Sequence, residues 1–407
     1  MPPSNWRRSL SAVAHIRHAL RGRLICTALL GASMMVAISS ARIEAGPFFD
    51  EQISELVWSN CSGRAVRSFE RVGRLISEQP DNYAAYLVRA NCYGWFIARN
   101  PDNRMYDNPL IESLDACIER AERVDKDSPE YGRALYFNAL GRVLLARFKA
   151  LRGYDFTSRW GTRGAADAAD ELIKRYPDNL DAHLPRAIFD ATWGGSSIWQ
   201  RMALFTLTMP RGNRERGIQT LEEIAESDTD SRFWAMLVLM DIFMADQSTA
   251  QQYLETAETL HTLFPDNSVI QLELADSFRG LERWVLAEAV YQSILTKVNN
   301  QVQSYDEVVF EISRLRVVEC QVNLLKMDEA FRVVREILIS NPINPDWVVP
   351  WAHYWTARIY VHREEPMRAL RAVEYARDGK DFNKLHEHAD RLKDRVKKII
   401  EEQEKGR

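Results

Sequence analysis

Residues Ser268–Asn299 read SVIQLELADSFRGLERWVLAEAVYQSILTKVN. Ala275 and Phe278 fall three apart in the first half, and Ala287, Tyr291 and Ile294 fall four and three apart in the second. Both spacings keep side chains on one face of a helix. Gly280-Leu281-Glu282 separates the halves, so the segment reads as two antiparallel helices joined by a short turn. Alanine lets two backbones approach at a crossing, and the aromatic ring beside it fills the remaining volume.

The same signature recurs along the chain. A small residue followed at +4 and +7 by larger apolar ones appears at Ala65-Phe69-Val72, Ala165-Ala169-Leu172, Gly217-Leu221-Ile224, Ala250-Leu254-Ala257, Ala330-Val334-Ile337 and Ala369-Val373-Ala376. Each marks the second helix of a hairpin. The punctuation recurs too, as Pro80-Asp81-Asn82, Pro177-Asp178-Asn179, Pro265-Asp266-Asn267 and Asn341-Pro342. Proline stops one helix, and Asp or Asn caps the next.

With small residues at positions 8 and 20, aromatics at 11 and 24, and Asn299 where the consensus has proline, residues 268–299 resemble a tetratricopeptide repeat. The resemblance implies an all-α right-handed superhelix of antiparallel helix pairs, an α-solenoid of seven to nine hairpins. Such repeats bind other molecules along a concave groove. The family's groove positions correspond here to Asn91 and Trp95, Asp276 and Arg279, and Trp351, Tyr354, Arg358 and His362. These eight residues are the expected partner-binding set, with aromatic and Arg side chains as anchors. The set lacks the Lys/Asn arrangement with which some members clamp a terminal carboxylate. The competing reading of Trp351 and Tyr354 is that they pack against a terminal helix. Residues from about 134 to 254 also resemble a group of exported bacterial tetratricopeptide proteins, through Pro177-Asp178-Asn179, Trp193-Gly194-Gly195 and Asn213-Arg214-Glu215-Arg216-Gly217. That group implies fold and location rather than an activity.

The ends differ from the middle. Residues 1–23 hold five arginines and no acidic group, and Leu24–Ala41 is an uncharged, mostly apolar run. This is the pattern of a signal peptide over residues 1–45, with an uncleaved inner-membrane anchor at 24–41 as the alternative. The expected location is therefore periplasmic or secreted, or anchored by that one segment. The repeat domain is expected over 46–378, with insertions near 152–164 and 193–213. Residues 379–407 read as a charged capping helix, whose apolar stripe of Leu385, Ala389, Leu392, Val396 and Ile399 covers the last repeat. A short dimer seam is the rival use of that stripe. The apolar run Met202–Met209 reads as groove filling, a docking patch or membrane contact.

Residues 1–45 carry six Arg and one Glu, which leaves 47 basic and 56 acidic residues in the remainder, a net charge of −9. A nucleic-acid partner would need a basic face, so none is expected. No GxxxxGKS/T, GxGxxG, HExxH or GxSxG motif is present, so neither an enzyme nor a cofactor site is expected. His386 and His388, two apart on a helix, diverge by roughly 200° and share no metal. Of the four cysteines after residue 45, Cys61 and Cys92 are the preferred disulfide pair, Cys92 and Cys117 the alternative, and Cys320 an apolar filler. The function that follows is an adaptor or scaffold that binds a protein or peptide in the cell envelope. A small-ligand carrier, with its pocket closed by the two insertions around Trp160, Trp193 and Trp199, is the alternative.

Overall fold

A computed structural model of the chain describes residues 48–153, 159–194 and 212–405. They form seventeen helices and, among the described residues, no strand. In order these are α1 (Glu51–Cys61), α2 (Ala65–Glu78), α3 (Tyr83–Arg99), α4 (Asp107–Glu122), α5 (Tyr131–Leu151), α6 (Arg159–Arg175), α7 (Leu180–Trp193) and α8 (Arg214–Glu226). They continue as α9 (Arg232–Met244), α10 (Ala250–Leu263), α11 (Ser268–Gly280), α12 (Trp284–Asn299), α13 (Glu307–Asn323), α14 (Met327–Ser340), α15 (Val348–His362), α16 (Pro366–Asp378) and α17 (Leu385–Lys405). Each helix packs on the next, giving eight hairpins from α1/α2 to α15/α16, and first helices also pack on first helices of neighbouring hairpins. This is the tetratricopeptide architecture that residues 268–299 imply.

The local reasons are legible at both ends of each unit. The side-chain oxygens of Asn82, Asn179, Asn267 and Asp306 accept backbone N–H groups at the starts of α3, α7, α11 and α13, which satisfies donors that a helix start leaves open. Inside hairpins, Gly63, Glu282, Leu325 and Glu364 take positive φ. The next residue's N–H then reaches back five residues, as in Arg283 to the Phe278 carbonyl, Lys326 to Gln321 and Glu365 to Tyr360. That closure ends the first helix and starts the return. Glu282, not Gly280, is the residue that turns the chain in the 268–299 hairpin.

The second-helix signature is the buried seam. Ala165, Ala169, Leu172, Leu221, Ile224, Ala287, Tyr291, Ile294, Ala330, Val334, Ile337, Ala369, Val373 and Ala376 are all fully buried. Each large apolar member contributes about 1.5–3 kcal/mol relative to exposure. At Gly217 the approach is closest, because an added Cβ would lie 2.3 Å from the Ala191 amide nitrogen on α7.

The irregular parts differ from expectation. The connection between α3 and α4 spans 100–106, and Asp107 opens α4. Residues 159–164, expected in the first insertion, are helical and open α6. Most of the second insertion, including Trp199 and Met202–Met209, lies outside the described residues, as does the leader. Its two ends meet where Gly194 lies against Gly212 and Arg214. α17 packs on α15 and α16, and its stripe of Leu385, Ala389, Leu392 and Val396 is buried there. No helix of the described residues is long and apolar enough to cross a membrane.

Candidate functional site

The first helices of the hairpins bury nearly every face. α3, α5 and α9 bury runs of consecutive residues, Tyr83–Val88, Ala134–Gly141 and Phe233–Met236, so they are covered on more than the hairpin side. The cover comes from the chain itself. The turn and loop of hairpins 1 and 2 meet the connections between hairpins 5 to 8 and the loop before α17. Asn267 Nδ2 donates to the Cys61 carbonyl at 2.8 Å, Arg99 pairs with Asp306 at 2.7 Å, Asn100 bonds Asn344 at 2.9 Å, and Asp102 pairs with Lys380. Gly63 lies so close to Asp266 that a Cβ would sit 2.6 Å from its carbonyl oxygen. Trp58 adds edge-to-face contacts with Phe233 and Phe264. A water-sized cavity of about 30 Å³ remains at this seam, lined by Asn60, Trp95, Arg99, Asn267 and Ser304 among others.

This closure decides what the expected groove residues do. Trp95 is 7% exposed, with its indole N–H buried at the seam. Asn91 accepts from Asn60 Nδ2 at 3.0 Å. Asp276 and Arg279 belong to a charged ladder between α11 and α13. There Tyr291 Oη donates to Asp276 Oδ1 at 2.6 Å, Arg279 Nε donates to the same oxygen at 2.8 Å, and Arg279 Nη1 approaches Glu319 at 3.4 Å. Arg316 binds the far side of Glu319 at 2.8 Å. Trp351 packs as the competing reading has it: Nε1 donates to the Phe382 carbonyl at 3.0 Å, and the ring lies 5.3 Å from Tyr354 and 5.8 Å from His388 of α17. Arg358 lies over Trp355, and His362 is exposed. The eight residues thus divide between seam, ladder and cap rather than lining one open groove.

The ladder shifts its acids in opposite directions. Burial, reinforced by the charge of Asp276, pushes the Glu273 carboxyl up to about 7 while Tyr253 bonds it. Burial also acts to raise Asp276, but the guanidinium groups of Arg279 and Arg316 outweigh it and hold that carboxyl below its usual range. Among the described residues no group of His, Cys, Asp or Glu side chains is arranged to hold a metal. The Cys61–Cys92 bridge is not formed. Cys61, Cys92, Cys117 and Cys320 are buried free thiols, and Cys92 bonds Asn60 Oδ1 at 3.2 Å. Burial raises Cys61 and Cys92 to about 12, which suppresses the thiolate that disulfide chemistry requires.

Two features escape motif reading. A cavity of about 210 Å³ lies between α3, α4, α5 and α9, walled by Leu87, Ala90, Leu110, Phe148 and Trp234, with Arg147 and Asp241 among its lining. At or beside the turns inside hairpins 5 to 8 a large apolar side chain is exposed: Met244 at the end of α9, Val285 with Leu286 in the first turn of α12, Leu325 in the turn before α14, and Met367 at the start of α16. Their exposure, 48–69%, could not be foreseen, because apolar residues near helix ends read as core.

No family model matches the chain, and no curated protein matches it. Among solved structures it is similar to the P58(IPK) TPR domain, at 16% identity over 86% of this chain and 99% of that one, with a TM-score of 0.26. It is also similar to the human IFIT1 dimer with m7Gppp-AAAA, at 12% identity over 88% and 83%, TM-score 0.42, and to the APC/C Cut9-Hcn1 hetero-tetramer, at 14% over 83% and 75%, TM-score 0.34.

Proposed function

We propose that the chain is a non-catalytic helical-repeat scaffold that holds a protein partner in the cell envelope. The observation that carries this reading is the set of exposed apolar side chains at or beside the turns of four successive hairpins, Met244, Val285, Leu286, Leu325 and Met367. Scattered surface apolar residues are ordinary, but one recurring beside the inner turn of four successive hairpins reads as a docking edge. It supplies the anchor that the filled groove does not. The envelope location rests on the arginine-bearing residues 1–23 and the apolar run 24–41, which read as export with cleavage, or as one inner-membrane anchor. Trp351, Tyr354, Arg358 and the exposed His362 remain proposed as a secondary contact, in which Trp351 is reached only where α17 yields.

Affinity capture from envelope extract tests the reading, with residues 46–407 beside a Val285→Ser/Leu286→Ser/Leu325→Ser variant. All three positions are solvent-facing, so the variant keeps the fold. A protein retained by the parent and lost by the triple variant is the expected result, whereas retention by both removes the docking edge. Loss with Trp351→Ala/Arg358→Ala instead would move the site to the last hairpin.

A further inference from the structure

The cavity between α3, α4, α5 and α9 has the marks of a built site. Its walls are mostly apolar: Leu87 and Ala90 on α3, Leu110 and Leu114 on α4, Leu144 and Phe148 on α5. Trp234 of α9 closes one side and is 7% exposed. Gly94 also lines the cavity. It sits inside α3, where glycine weakens a helix, and a Cβ built there would touch nothing within 4 Å. Neither packing nor backbone geometry asks for glycine at this position, and its effect is to leave the space open. Leu151, 67% exposed, belongs to the same wall, so the cavity reaches solvent at the end of α5.

The polar groups define the chemistry. Arg147 is already matched by Asp241 at 3.1 Å and Thr192 at 3.0 Å. The charge of Asp241 also reaches Glu273 on α11. No unmatched positive charge is therefore offered to an anion. Asn91, also in the lining, has its oxygen engaged by Asn60. An apolar cavity of about 150 Å³ already admits benzene, so the present volume holds a ring with a short substituent.

We infer that this cavity binds an uncharged, largely apolar small molecule of benzene size or slightly larger. The inference is independent of the docking edge, which lies at or beside the turns of hairpins 5 to 8.

Ethylbenzene and benzoate are matched probes, neutral and charged on similar frames. Isothermal titration on the purified protein is expected to show saturable binding of ethylbenzene and weaker binding of benzoate. Gly94→Leu fills the space and should abolish ethylbenzene binding while circular dichroism stays unchanged. Undiminished ethylbenzene binding by Gly94→Leu, tighter binding of benzoate, or no saturable binding at all would each overturn the assignment.

Discussion

Glu273 and Asp276 lie less than one helical turn apart on α11, yet their carboxyls are driven in opposite directions. Asp276 has Arg279 and Arg316 against it, whereas Glu273 has burial and the charge of Asp276, which outweigh the lowering hydrogen bond from Tyr253. The consequence for stability has a definite sign. The folded-state value near 7 exceeds the ordinary carboxylate value of 4.5, so the folded state binds more protons between those limits. This group's contribution is then fully present below about pH 4.5 and is lost as pH rises toward 7. Glu273→Gln cannot ionise, so its stability relative to the parent is expected to be higher at pH 8 than at pH 5. Urea unfolding at the two pH values checks this, and an equal difference at both would refute it. The sequence placed Asp276 and Arg279 on one helical face but could not say that Arg316 and Glu319, some forty residues later, would occupy them. Ion-pair choice depends on which helix lies opposite, and spacing within one helix carries no such information.

Elements are where the sequence speaks most plainly. The small-residue, +4, +7 pattern translated directly into buried seams at Ala287, Ala330 and Ala369, because helix periodicity and close approach are local requirements. Glycines show the limit of that reading. Gly217 and Gly94 look alike in sequence, but one touches the backbone of α7 and the other faces open space. Gly217→Ala should therefore destabilise by about 1–3 kcal/mol through overpacking, while Gly94→Ala should stabilise by about 1 kcal/mol through helix propensity. Denaturant midpoints of the two variants are expected to move in opposite directions, and movement in the same direction would contradict the close approach at Gly217. The hairpin α3/α4 was the least legible, because its second helix starts right after a Pro- and Asn-rich loop and lacks the small-residue signature.

At the scale of the whole repeat domain, contacts between hairpins 1–2 and hairpins 5–8 join residues some two hundred positions apart. An open solenoid keeps its contacts between neighbours; here the early turns also rest against the late connections. Gly63 is the pivot, with φ +80° and the Asp266 carbonyl where a side chain would start. Gly63→Ala is expected to cost about 2–3 kcal/mol, from the left-handed backbone and the clash together. Amide exchange should accelerate in residues 58–66 and, at a distance in sequence, in 264–269. Acceleration confined to the first hairpin would show that the seam carries no stability.

The sequence by itself determined most of the helices and their pairing, the caps at Asn82, Asn179 and Asn267, and the buried seams, because each of these is fixed by neighbours within about forty residues. It also carried the leader pattern and the lack of familiar catalytic motifs. Only the tertiary structure decided which faces stay open: groove positions such as Trp95 and Asp276 were enclosed, four turns kept their apolar side chains in solvent, and a cavity formed around Trp234. The physical reason is that helix formation reports on local spacing, whereas exposure is set by how successive hairpins stack and by what the chain meets when its early turns reach its late ones.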